Sequence, residues 1–247
     1  MAEPPTVAQQ VREVSQRVLG RFAPVSEQLP MFPLNTVLFP GVSMPLHVFE
    51  DRYRALVHHL LSISDKSLRV FGIVAIREGY EVGSHGIRSV HRVGCVAQMT
   101  SVEPHPDGRF DIEVVGRQRL RLNGMDTSGR YLVGDVDLLS EGKTTTLDVE
   151  EAERALGTFE SYRGRLSEMR GDDVLDGDLP RDPEYLSYSL AATCLLTLRE
   201  RQELLETDTA RERLILLRHS LYEEMRAMRA IPSLPATEVA RTSWSPN

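Results

Sequence analysis

The chain has 247 residues, with 29 Lys plus Arg against 36 Asp plus Glu, a net charge of −7 with histidine neutral. Hydrophobic residues make up 41% and charged residues 26%, the balance of a soluble globular protein large enough to fold without disulfides or metals. The acidic excess argues against a general nucleic-acid binder, and the basic side chains are almost all arginine, since only Lys66 and Lys143 are lysines.

Residues 1–29 read as an N-terminal accessory arm. Val7, Val11, Val14 and Val18 form one helical stripe that Gly20 and Pro24 would stop. No basic segment leads into an apolar core there, so no secretory signal is expected. No window nears the ~18 apolar residues of a membrane span, and a cytoplasmic protein is expected. From Met31 to Phe49 the chain is apolar and punctuated by Pro33, Pro40, Gly41 and Pro45. Proline cannot donate to a ladder, so this stretch predicts short or edge strands joined by a turn at Pro40-Gly41. Phe49, Tyr53, Leu56 and Leu60 then recur at helical spacing.

Strands follow at 70–76 and 90–102. Pro106-Asp107-Gly108 predicts a hairpin turn into a strand at 109–115. Gly116 is expected to break that strand. Arg117, Arg119 and Arg121 alternate with Gln118, Leu120 and Leu122 in the next one, giving a basic face, and 131–139 is a further strand. After Gly142 the period becomes helical. Val149, Ala152, Leu156, Phe159, Tyr162, Leu166 and Met169 form one stripe. Asp182-Pro183 starts a second helix with Leu186, Leu190, Cys194 and Leu198 on one face. Thr209 and Glu212 read as a capping box before the stripe Leu214, Leu217, Leu221, Met225 and Met228. Residues 231–247, rich in Pro, Ser and Thr, are expected to be a disordered tail. The fold class is α+β: a β-rich part over 30–141, then a helical part over 146–230.

Chemical motifs are sparse. Gly142-Lys143-Thr144 resembles the end of a phosphate loop, but the required glycine five residues before Gly142 is Asp137, which would repel a phosphate. The histidines form no tight ligand pattern, and His47, three residues before Glu50, reads as a polar anchor at a strand-to-helix turn. Cys95, near His85 and His91 in sequence, lies in an apolar strand and Cys194 on a helical stripe; both are expected to be buried free thiols. No catalytic, cofactor-binding or metal-binding residue is assigned.

Several blocks carry a resemblance. Phe32-Pro-Leu-Asn-Thr-Val-Leu-Phe-Pro-Gly41 and Met44-Pro-Leu-His-Val-Phe-Glu-Asp-Arg-Tyr-Arg-Ala-Leu56 resemble the opening of the Lon protease N-terminal, substrate-binding domain family. Gly72-Ile-Val, Val93-Gly-Cys-Val-Ala97, Asp107-Gly-Arg-Phe110, Gly116-Arg-Gln-Arg-Leu120 and Arg201-Gln-Glu-Leu-Leu-Glu-Thr-Asp208 continue it in order, over about residues 30–230. The resemblance implies a PUA-like β-barrel followed by a C-terminal helical bundle. It implies a bacterial stand-alone member, since these residues leave no room for an ATPase or a protease module. It further implies a non-enzymatic module that binds unfolded or extended polypeptide or a protein partner, as an adaptor or chaperone-like factor in quality control. Met31, Phe32, Phe39 and Met44 are the candidate contacts, by strand addition at an exposed edge. RNA binding through Arg117, Arg119 and Arg121 is the alternative, because PUA-like barrels include RNA binders; the acidic charge makes nucleic acid the weaker expectation.

Overall fold

The structure, a computed structural model, describes residues 27–79, 87–170 and 179–230. It divides into two compact units, Met1–Ser140 and Glu141–Asn247. The helical stripe expected within the arm and the tail expected at 231–247 lie outside the described residues. Glu27 to Leu29, counted with the arm in the sequence, belong to the first strand.

Among the described residues the first unit holds six strands and one α-helix. These are β1 (Glu27–Leu34), β2 (Ser43–Val48), α1 (Asp51–Ser62), β3 (Val70–Gly79), β4 (Ile87–Pro104), β5 (Phe110–Asp126) and β6 (Leu132–Leu138). One mixed sheet runs in the order β2-β5-β4-β3-β1-β6, and an added β5–β6 pairing brings its far end back onto β5. The result departs from a uniform barrel, because β5 divides one of its edges. Phe110 to Val115 take β2, and Leu120 to Asp126 take β6. Gly116 stands at the change of partner. It does not end the strand as the sequence suggests; β5 runs straight through it. Its N–H donates to the Val42 carbonyl at 3.0 Å, and its own carbonyl accepts from Gly41 N–H at 2.9 Å. A Cβ at Gly116 would lie 2.1 Å from the Phe39 carbonyl oxygen. Glycine is there for the close approach of a second backbone.

The proline-rich β1 is not an edge strand. It pairs in parallel with β3 from Met31 to Leu34 and antiparallel with β6 from Glu27 to Met31. Pro30 falls where only β6 is alongside and Pro33 where only β3 is, so each proline has an open side for its missing donor. Side-chain alternation splits the core in two. Phe32 goes to a cluster under α1, stacked on Tyr53 at 3.9 Å with Leu56, Leu60, Phe71 and Ile73 around it. Met31 goes to the other cluster with Val74, Leu120 and Val136. Its thioether lies between Gly72 and Gly134; Cβ atoms there would come within 2.5 Å and 2.8 Å of the Met31 sulfur.

The second unit is helical: α2 (Thr146–Arg170), α3 (Pro183–Thr193), α4 (Leu198–Glu206) and α5 (Ala210–Ala230). The stripe on α5 is buried at all five expected positions. On α2 the buried stripe is Ala152, Ala155, Phe159, Tyr162 and Leu166, while Val149 is 45% exposed. The helix expected through Leu198 stops at Thr193, because Cys194 is extended and Thr197 caps a new helix in a full capping box with Glu200. Arg213 is fully buried in this unit. Its guanidinium sits 4.0 Å over the Tyr188 ring and donates to Ser187 Oγ, the Thr207 carbonyl and Glu141 Oε2 at 2.8, 2.8 and 3.2 Å. Every edge of the fork has an acceptor, which is what a buried arginine requires. A second buried charge, Glu151, accepts from Arg218 at 2.5 Å and Arg154 at 3.1 Å.

Gly116→Ala should lower stability by about 3 kcal/mol, since the obstacle is backbone and cannot swing aside. Urea unfolding should show a lower midpoint with unchanged slope; a midpoint equal to wild type would contradict the close approach. Burial alone would raise the Glu151 carboxyl, but hydrogen bonds from Arg218 and Arg154 outweigh it and hold the group below the usual glutamate range. A depressed carboxyl stabilises the fold above its unfolded pKa, ~4.3, and the contribution fades as pH falls through the lower folded value. Glu151→Gln should therefore cost about 2 kcal/mol at pH 7, less than for a fully buried pair because Arg218 keeps contact with water. The gap to wild type should narrow as pH falls below ~4.3 and close only once the lower folded value is passed; a gap that did not narrow with acid would contradict this account.

Candidate functional site

Among the described residues β2 has a hydrogen-bonded neighbour on one side only, β5. The bond from Gly116 N–H to the Val42 carbonyl fixes which groups face β5. By the two-residue period Met44, Leu46 and Val48 turn their backbone groups to β5, and Ser43, Pro45 and His47 turn theirs to the open edge. Pro45 thus places its missing donor where no ladder within the described sheet needs one, leaving the Ser43 and His47 N–H groups as the outward donors. The Ser43, Pro45 and His47 side chains are exposed, while Met44 and Leu46 are half-buried against the α1-side core.

This geometry sorts the sequence candidates. Met44 lies on the open strand and is partly accessible. Met31, Phe32 and Phe39 are 0%, 5% and 0% exposed, and they fill the interior rather than face a ligand. Met31 and Phe32 are buried because β1 is covered on both faces, and Phe39 because its segment crosses β5 at Gly116. The arginine face is not assembled as an open surface either. Arg119, opposite Cys95 on β4, is 2% exposed. Arg117 is half-buried and donates to Gln98 Oε1 at 2.7 Å. Arg121 is exposed, with Asp137 as its cross-strand partner position on β6, where opposite charges stabilise the pair.

At the far end of β2 a polar cluster appears that no sequence motif announces. His47 on β2 is in register with Asp111 on β5, and Nδ1 to Oδ1 is 2.5 Å. His105 Nε2 reaches the other carboxylate oxygen at 2.6 Å. The hairpin turn holds His105 there: Gly108 N–H donates to the His105 carbonyl at 2.9 Å, and His105 N–H to the Arg109 carbonyl at 2.8 Å. Gly108 has φ of 82°, the left-handed residue of a type I turn with its bulge. The hydrogen bond from His47, then that from His105, holds the Asp111 carboxyl below the usual aspartate range. The signal available in sequence was the turn; the pairing of β2 with β5, which completes the cluster, was not.

In the helical unit a cleft of about 290 Å³ is lined by Lys143, Thr145, Asp148, Arg211 and Glu212 among others. The Thr145 N–H and hydroxyl both donate to Asp148, so the amide that a phosphate would seek beside Lys143 is already satisfied by a carboxylate. Cys95 and Cys194 are buried and free, and burial pushes both thiols up to about 12. Among the described residues no helix is long and apolar enough to cross a membrane.

Residues 28–222 match the ATP-dependent protease La (LON) substrate-binding domain. The chain belongs to the LON substrate-binding domain family. Among its relatives are Lon protease 2 of Herpetosiphon aurantiacus, 29% identical over 202 residues and 80% of this chain, and Lon protease of Escherichia coli K12, 26% identical over 204 residues and 80% of this chain. The chain spans about a quarter of the length of these relatives, 24% and 25%. Two solved structures share the LON N-domain fold. The Lon N-terminal domain protein from Xanthomonas campestris superposes with TM-score 0.53 at 22% identity, over 77% of this chain and 96% of that one. The N-terminal domain of the Mycobacterium avium complex Lon protease superposes with TM-score 0.57 at 17% identity, over 79% and 98%. The matched region is the substrate-binding part of Lon, not its ATPase or protease modules.

Native protein at pH 8 should resist alkylation by iodoacetamide at both cysteines, and both should react once it is unfolded in urea. Mass spectrometry counts the adducts; rapid labelling of Cys95 in native protein would contradict its burial.

Proposed function

We propose that this chain is a polypeptide-binding module that takes an extended segment along the open edge of β2. The observation that carries the reading is the edge itself, a strand paired on one side only among the described residues, with half-buried Met44 and Leu46 beneath it. Strand addition there supplies main-chain hydrogen bonds that tolerate many sequences, which suits a module that must accept unrelated unfolded chains. Membership in the family of Lon substrate-binding domains supports the same chemistry. In this reading the chain recognises and does not cut, and it serves protein quality control as an adaptor or chaperone-like factor in the cytoplasm, where free thiols such as Cys95 and Cys194 are stable. Arg119 is buried, which weighs against the arginine face as an RNA surface.

A fluorescent, permanently unfolded polypeptide such as reduced carboxymethylated α-lactalbumin should bind saturably in anisotropy titrations without ATP, and should remain uncleaved. Ser43→Pro removes an outward N–H, and Met44→Lys removes the apolar contact. Each should weaken binding about tenfold, the effect of losing ~1.4 kcal/mol. Wild-type affinity in both folded variants would exclude the β2 edge.

A further inference from the structure

We propose that His47, His105 and Asp111 form a binding site for a divalent transition-metal ion of the zinc class, which would clip β2 to the β4–β5 hairpin. One ligand atom from each residue lies within 4.8 Å of the other two. Two imidazole nitrogens and one carboxylate oxygen suit Zn²⁺, Co²⁺, Ni²⁺ or Cu²⁺, and suit Ca²⁺ or Mg²⁺ poorly, since those prefer oxygen alone. Three protein ligands leave a fourth position of a tetrahedral ion to water.

The backbone arrangement is what makes this more than a chance meeting of side chains. His47 and Asp111 are directly opposed on paired strands. His105 is fixed by the two turn hydrogen bonds that close the hairpin. All three Cα positions are thus set before any ion arrives, and only side-chain torsions remain. Tetrahedral bonds of about 2.0–2.1 Å put ligand atoms ~3.3 Å apart, so the nitrogen–carboxylate contacts, now 2.5 and 2.6 Å, must open to admit the ion while the longest separation in the group, at most 4.8 Å, closes. The two histidine side chains are 40% and 32% exposed, and nothing buried has to move with them.

The proton bookkeeping is simple. Each imidazole N–H donates a hydrogen bond to the Asp111 carboxylate, His47 from Nδ1 and His105 from Nε2. With neutral rings the metal takes those nitrogens, and the proton of each ring moves to its other nitrogen. For His47 that nitrogen is Nε2, which the Arg109 guanidinium approaches at 3.3 Å. A ring with Nε2–H cannot accept from Arg109, so the ion and Arg109 compete for His47. Arg109 stays anchored by Asp107 at 2.6 Å when displaced. It therefore sets the affinity without being a ligand.

Calorimetry with ZnCl₂ on the full chain should show one saturable site at pH 7.5. His47→Gln and His105→Gln should each weaken it at least about tenfold, whereas the exposed pair His58→Gln/His59→Gln on α1 should leave it unchanged. Arg109→Gln should tighten binding a few-fold, because a positive charge beside the ion is removed. Co²⁺ substitution should give visible absorption of tetrahedral intensity, lost in His105→Gln. The thermal midpoint should rise with zinc in wild type and not in the two ligand variants. Absence of saturable binding, or binding indifferent to both His47→Gln and His105→Gln in folded protein, would overturn the proposal. These readouts use metal alone, so failure of polypeptide binding would not affect them.

Discussion

The sheet depends on one crossing, where the backbone of Phe39 to Val42 runs against Gly116 with no room for a Cβ. Upstream of that point β5 carries β2; downstream it carries β6 and thereby closes onto β1. A single strand can serve two partners on one edge only if the first leaves before the second arrives, and the crossing segment is how it leaves. Phe39 is fully buried for the same reason. The sheet edge that remains, β2, is a by-product of that division of β5, and it is the feature on which the binding reading rests.

Much of this was legible in the residues. The Asp107-Gly108 turn, the Asp182-Pro183 helix start and the five-residue stripe of α5 each rest on local rules, and local rules were enough. What was not legible is non-local. Pro33 argues for an edge when β1 is read alone; it sits beside β3 because β1 changes partner at Met31, a fact written in β3 and β6. Gly116 reads as a strand breaker unless the approach of Phe39 is known. The break at Cys194 is hidden in the sequence because Leu186, Leu190, Cys194 and Leu198 keep a helical period across two helices, while the new start is marked only by the Thr197–Glu200 box.

Burial sorts the site candidates by the same non-local logic. Apolar residues in a proline-rich segment suggest a surface, yet alternation sends Met31 and Phe32 to two different cores. Three alternating arginines suggest a basic face, yet the middle one is covered. Sequence gives the direction a side chain points relative to its neighbours, and only the pairing of strands says what lies in that direction. The His47, His105 and Asp111 cluster is the converse case: residues unremarkable one at a time become a convergent set through register.

Closure of β1 onto β6 also orders events during synthesis. Among the described strands of the unit, Glu27–Leu34 comes first in chain order, and it finds one of its two partners only when Leu132–Leu138, the last of them, has followed. Until then Met31 has no complete cavity to enter, since Gly134 forms one of its walls. Long-range pairing of this kind delays the reward for ordering the chain. The nascent chain thus carries an unpaired apolar strand for most of the time this unit takes to be made, and is itself for that interval an unfolded polypeptide with a strand to offer.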